Sequence, residues 1–272
     1  MQLERYLKER KRLVDKALVR LLPPKKDYPA SLHGALHYSL VGGKRIRPIL
    51  TLAACEAVGG KVKDALVSAC AIEIIHAFSL VHDDLPCMDD DAWRRGQPTV
   101  HKKFGESTAL LAGDALLSLG FELLAKDGVS SLRQVRVLRE LSHAIGTYGM
   151  IGGQVADLEL QGKEPDLPSL EYVHSHKTGA LIAASLKIGG ILGGGNPKEI
   201  RALSKFGEYV GFTFQIVDDI IDREGYSLLF EVKGAREEAK KLTLKAKRHL
   251  QRFGKRGEPL SQLADFILNR PL

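Results

Sequence analysis

Ile75-His76-Ala77-Phe78-Ser79-Leu80-Val81-His82-Asp83-Asp84-Leu85-Pro86-Cys87-Met88-Asp89-Asp90-Asp91 is the stretch on which the reading of this chain turns. An apolar segment runs into five aspartates within nine residues, with a proline among them and Arg94-Arg95 behind. Residues 63 to 84 read as one long, mostly apolar helix, of the kind found at the centre of a bundle. The acids at its end repel one another unless a cation sits among them. Asp83 and Asp89 are six residues apart and fall on different faces of an ideal helix. Pro86 cannot donate to the helical ladder, so a break or bulge there could swing Asp89 back toward Asp83. A solvated acidic loop is the plain alternative.

A second acidic cluster, Asp218-Asp219-Ile220-Ile221-Asp222, ends another apolar helix. Asp218 and Asp222 lie ~40° apart in azimuth, with Gln215 one turn earlier on the same side. Unpaired, they destabilise a helix end that is already negative; Mg²⁺ reverses the sign. The two clusters are expected to face each other and to hold Mg²⁺ on one diphosphate. Gly42-Gly43-Lys44-Arg45-Ile46-Arg47-Pro48 joins a glycine turn to three cations at a helix start, where backbone N–H groups favour anions. His76, two turns before Asp83, is either a satisfied core histidine or part of the same site. Arg94 and Arg95 either neutralise the neighbouring acids or grip two phosphates. Trp93 is expected to pack rather than react.

Outward from these motifs the pattern stays helical. Helices are expected over residues 3–21, 31–41, up to Val58 from a start near Pro48, 106–126, 131–160, 169–192 with a kink at Lys177-Thr178-Gly179, 198–222, 233–252 and 258–268. Pro23-Pro24, Gly59-Gly60, Pro165 with Pro168, and Gly193-Gly194-Gly195-Asn196-Pro197 punctuate them. With no useful strand alternation, linker or repeat, the economical fold is all-α: a single-domain helical bundle over residues 1–272.

Composition narrows the class. The chain is 44% apolar, enough for one large core or two modest ones. No consecutive apolar run reaches the roughly 18 residues of a membrane span, and the charged Met1 to Arg12 stretch is unlike a signal peptide. Cys55, Cys70 and Cys87 show no metal-binding spacing and read as reduced thiols of a cytoplasmic protein. Net charge is +7, yet residues 233 to 256 hold ten Lys or Arg against Glu237 and Glu238. That stretch reads as a solvated helix face. Nucleic-acid binding lacks aromatic interleaving.

These residues, in this order, resemble the trans-polyprenyl diphosphate synthase family, in its bacterial farnesyl type. The likeness covers nearly the whole chain: Gly43 to Pro48, Ile75 to Pro86, Met88 to Gly96, Phe104-Gly105-Glu106, Ala112 to Leu116, Gly152-Gly153-Gln154 with Asp157, His176 to Gly179, and Gly211 to Asp222. The resemblance implies the isoprenoid synthase fold, a bundle around a deep central cavity, usually homodimeric. It implies condensation of isopentenyl diphosphate with an allylic diphosphate, dimethylallyl or geranyl, releasing pyrophosphate. Asp83, Asp89 and Asp218 would ligate three Mg²⁺, which Mn²⁺ could replace, supported by Asp84 and Asp222. Arg94 and Lys177 would hold the allylic diphosphate. Lys44, Arg47, His76 and Arg95 would form the metal-free isopentenyl pocket, and Thr178 and Gln215 would line the reacting carbons. Phe78, roughly 7–8 Å before Asp83 along the helix, resembles the aromatic floor that limits chain length, with Ser79 beside it. The expected product is therefore farnesyl diphosphate, with geranylgeranyl diphosphate as the alternative. Stable membrane insertion is not expected.

One departure stands out. Family members carry a Gly-Lys pair and a segment ending in Lys-x-Thr-Tyr after the second cluster; here Asp222 is followed by Arg223-Glu224-Gly225-Tyr226. A mobile lid loop absent from this sequence is the favoured explanation, a true deletion the other. Rival readings are a metal-dependent phosphohydrolase built on His82-Asp83, a terpene cyclase, and a regulatory subunit of a heteromeric synthase. The first leaves the basic residues and second cluster idle, and the second lacks their counterpart.

Overall fold

The computed structural model describes residues 3–126, 130–163 and 166–270. Met1, Gln2 and Pro165, which entered the sequence reading, lie outside them. The described chain is almost entirely helical, and its backbone forms two compact units.

One unit spans Leu7–Ile49 and Leu66–Gly128. It contains most of α1 (Leu3–Leu21), α2 (Ala30–Ser39), the first turn of α3 (Ile46–Ala57) and most of α4 (Val62–Asp83). It continues with α5 (Val100–Phe104) and α6 (Glu106–Lys126). Ala71, Ile72, Ile74 and Ile75 of α4 are wholly buried, as the apolar run requires. Small residues bring α6 close: a Cβ at Gly120 would meet Ile75 at 2.4 Å, and one at Gly113 would fall on the His82 ring. A buried charge network ties the N-terminal segments to α4. Arg45 donates to Asp15 at 2.8 Å, to Glu73 at 2.9 Å and to the Leu40 carbonyl. Strands β1 (Trp93–Arg94) and β2 (Gln97–Pro98) form a minimal antiparallel ribbon that the sequence did not announce. Trp93 does not pack as expected: it is 66% exposed, because the ribbon turns it outward from a loop rather than a helix.

The second unit spans Met1–Tyr6, Leu50–Ala65 and Val129–Leu272. It holds α7 (Ser131–Ile145), α8 (Met150–Leu160), α9 (Leu167–Val173), a π-helical segment His174–Gly179, α10 (Ala180–Leu192) and α11 (Pro197–Asp222). After these come α12 (Tyr226–Arg248), a 3₁₀ segment Gln251–Gly257 and α13 (Glu258–Leu268). Helix α10 packs against both α7 and α11, and α11 against α12. Asn196 and Glu199 close a capping box at the start of α11, with Pro197 in its first turn. The single helix expected over 131–160 is two, because Gly146 and Gly149 bend the backbone out of helical geometry where helix propensity is weakest. The kink at Lys177 is the π-helical segment. Helix α12 begins at Tyr226, seven residues before the expected start, and breaks at Glu231, whose φ is 55°.

Among the described residues, two helices are long and apolar enough, by length and composition, to cross a bilayer, although polar residues interrupt the apolar run in each. Val62–Asp83 has mean hydropathy 1.7 and Glu106–Ala125 has 1.5. Within the protein, 67% of the first window is buried and 39% of the second.

Candidate active site

The first acidic cluster is built on the C-terminal end of α4. The helix stops at Asp83, and Pro86 begins a set of tight turns in which the Asp89 N–H donates to the Asp83 carbonyl at 2.9 Å. Asp89 is thus folded back beside Asp83, as the proline required. Asp90 takes a left-handed φ of 49° to make the turn, and its carboxylate lies 3.5 Å from Lys102.

Asp84 is buried, and its carboxylate accepts from Arg94, which also donates to Asp91 at 3.0 Å. Burial pushes the Asp84 carboxyl up to about 6 against the pull of Arg94. Arg94 therefore stands on the acids rather than apart from them. Arg95 instead donates to the Val41 carbonyl at 3.5 Å.

Two turns before Asp83, Arg47 approaches His76 Nε2 at 3.2 Å. Desolvation, with Arg47, Arg95, Arg94 and Arg45 around it, holds the His76 pKa well below its ordinary 6.5. A neutral ring whose Nε2 accepts from Arg47 leaves its N–H on Nδ1. Lys44 is exposed at the same helix start. Phe78 is buried and meets His82 edge-on at 5.3 Å, while the Ser79 hydroxyl donates to the His76 carbonyl.

The second acidic cluster lies in the other unit, at the end of α11. Asp218 forms an ion pair with Arg270 at 2.9 Å. Burial raises its pKa, Arg270 lowers it, and Asp222 and Asp219 raise it again, so the net shift is upward. Asp222, in the last turn of α11, is exposed. Asp219 accepts the Tyr226 N–H at 2.7 Å and lies 3.3 Å from Nε2 of buried His174. These contacts make the α11–α12 connection a tight turn, with Arg223 left-handed and the Glu224 N–H on the Asp219 carbonyl.

Glycine contacts position the remaining residues. A Cβ at Gly153 would meet the Lys177 backbone at 2.2 Å, and one at Gly211 the Gly179 Cα at 2.8 Å. The π-helical segment consequently lies against α8 and α11. Lys177 reaches Asp157, and Lys177, Gln215, His174 and Asp219 line one cleft of about 270 Å³. Thr178 follows in the same segment, half-buried. Sequence reasoning missed His174 and Arg270. His174 precedes the His176-Lys177-Thr178-Gly179 motif by two residues and could have been noticed. Arg270 carries no local signal.

Among the described residues, no three His, Cys, Asp or Glu side chains converge into a metal cage. The donor set still fits Mg²⁺, which takes one or two carboxylates and completes its octahedron with water and phosphate oxygens. The clustered acids of Asp83 to Asp89 and Asp218 to Asp222 are hard oxygen donors of that kind.

A family model described as polyprenyl synthetase matches residues 29–233. The chain is 44% identical to geranylgeranyl pyrophosphate synthase 4 of Arabidopsis thaliana, over 97% of this chain and 77% of that protein. It is 39% identical to the geranylgeranyl diphosphate synthase of Cyanophora paradoxa, over 97% and 95% of the two chains. The crystal structure of a putative farnesyl-diphosphate synthase from Marinomonas sp. MED121 superposes with a TM-score of 0.90 at 39% identity, covering 99% and 100%. With its all-α isoprenoid synthase fold and both aspartate clusters, this chain belongs to the polyprenyl synthetase family and is a trans-prenyltransferase.

Proposed function

We propose that this prenyltransferase joins isopentenyl diphosphate to an allylic diphosphate and that its end product is geranylgeranyl diphosphate. The observation that carries the reaction is the sorting of charge along α4. Carboxylates gather at its end, where Asp89 returns to Asp83, and the Arg47–His76 pair sits two turns, ~10 Å, before them. One diphosphate must leave and the other must stay, and two chemically different grips suit that division.

When bound, Mg²⁺ neutralises the leaving diphosphate; we take three ions, with Mn²⁺ as substitute. Asp83, Asp89 and Asp218 are its ligands in this reading, with Asp84 and Asp222 in support. Asp219 is left out because it holds the Tyr226 N–H. Arg94 and Lys177 exchange their carboxylate partners for the allylic diphosphate. Lys44, Arg47, neutral His76 and Arg95 bind the second diphosphate without making it a comparable leaving group. Thr178 and Gln215 turn oxygen dipoles toward the allylic cation, and the departing pyrophosphate takes the proton. The working form is a cytoplasmic homodimer; the three free cysteines fit a reducing compartment.

The names of the Arabidopsis and Cyanophora relatives favour the C20 product. A second reading, farnesyl diphosphate, rests on the buried ring of Phe78. Incubation with isopentenyl diphosphate, Mg²⁺ and dimethylallyl or geranyl diphosphate, with products resolved by length, separates them. A C20 product supports the first reading, and a C15 product supports the second. No condensation overturns both, unless activity returns on mixing with a partner synthase subunit. If Phe78→Ala does not lengthen the product, the ring is not the floor.

A further inference from the structure

The start of α12 presents an apolar surface to solvent. Leu228 is 73% exposed, Leu229 44%, and Phe230 and Val232 43% each. The left-handed Glu231 divides this patch from the regular helix behind it. There the solvent face is cationic: Lys233, Arg236, Lys240, Lys241, Lys245 and Arg248 are exposed, with Glu237 the one fully exposed acid between Lys233 and Arg248. The opposite face, Ala235, Ala239, Leu242 and Ala246, is buried in the fold. The helix is therefore anchored, and both features face outward from one element. Soluble surfaces seldom expose consecutive large apolar side chains without a partner. Exposed Glu231 lies within this apolar group and Asp222, Arg223 and Glu224 precede it, but from Lys233 onward the exposed charges are overwhelmingly cationic. An apolar group followed by a stripe of lysine and arginine matches a bilayer surface, with hydrocarbon below and anionic headgroups above.

We propose that α12 docks this protein reversibly on an anionic lipid surface. Leu228, Leu229 and Phe230 enter the acyl boundary, and the stripe from Lys233 to Arg248 meets the headgroups. The lipid is favoured over an acidic protein because the apolar residues are contiguous and aliphatic or aromatic, forming a wedge rather than a pocket. Nothing in this proposal depends on the product or on catalysis.

The test is co-sedimentation of the intact protein with phosphatidylcholine vesicles, and with vesicles in which a third of the lipid is phosphatidylglycerol. Binding to the anionic vesicles is expected to be stronger by about tenfold and to weaken with salt. Leu228→Ser with Leu229→Ser should lower binding to both lipids. Lys233→Glu with Arg236→Glu and Lys240→Glu should abolish the anionic preference. Unchanged circular-dichroism melting shows that each variant is folded, and if the apolar variant melts early the charge variant carries the test. Equal binding to the two lipids, or no effect of the charge variant, overturns the proposal. So does a dimer in sedimentation velocity that Leu228→Ser dissociates, which assigns the patch to a second copy.

Discussion

The Asp219 carboxylate accepts the backbone N–H of Tyr226 at 2.7 Å, so the middle acid of the second cluster secures the start of the next helix. It is packed there: a Cβ at Gly225 would meet the same carboxylate oxygen at 2.4 Å. His174 approaches it from the π-helical segment and stacks on the Tyr226 ring. The connection thus gives a structural use to the one acid of the second cluster that the spacing argument left without a role.

Asp219→Ala should therefore destabilise the fold by about 2 kcal/mol, the worth of a charged hydrogen bond to a helix-terminal N–H. Asp222→Ala, at an exposed position, should stay within about 0.5 kcal/mol of the parent. Urea unfolding of the two variants measures the difference. Equal stabilities would show that the cap is dispensable.

Arg270 is the cation at Asp218. It also stacks on the Phe214 ring at 3.9 Å and donates to the Phe214 carbonyl at 2.9 Å. In Arg270→Gln the carboxylate loses that competitor, so Mn²⁺ affinity without substrate should rise by a factor of about 3 to 10, or ~0.6–1.4 kcal/mol. Free Mn²⁺ counted by electron paramagnetic resonance reads this directly. An unchanged affinity would mean that Arg270 does not compete for the carboxylate.

The Arg45–Glu73 pair is buried on both sides, at 5% and 4% side-chain exposure. Removing Glu73 leaves buried Arg45 with half-exposed Asp15 as its remaining carboxylate, so Glu73→Gln should cost about 2 kcal/mol in chemical unfolding. Arg45 joins Lys44 to the first turn of α3, which carries Arg47, and the KM for isopentenyl diphosphate should rise more than kcat falls. A stability change below about 1 kcal/mol would contradict the burial argument.

His76 titrates well below 6.5 in the folded chain. The unfolded chain therefore binds more protons as pH falls below 6.5, and the contribution of neutral His76 to stability is lost in that direction. His76→Gln should reduce the fall in unfolding free energy from pH 7 downward, relative to the parent. Parallel pH profiles of the two proteins would show that His76 is not the titrating group.

Much of this site was legible without coordinates because its signals are local. A helical period places Asp218 beside Asp222, and a break at Pro86 allows Asp89 to return to Asp83. Sequence alone determined most of the helices and the breaks between them, the two acidic ends and the family, since each depends on residues within a few turns of one another. The long helix expected over 131–160 was the main local failure, where Gly146 and Gly149 outweighed the apolar pattern. What only the tertiary structure decided is which charge meets which. Arg270 reaches Asp218, Arg45 reaches Glu73, and Asp219 turns to Tyr226 because packing brings distant segments together and a buried charge takes whatever partner lies within reach. Helical periodicity carries no information about that choice.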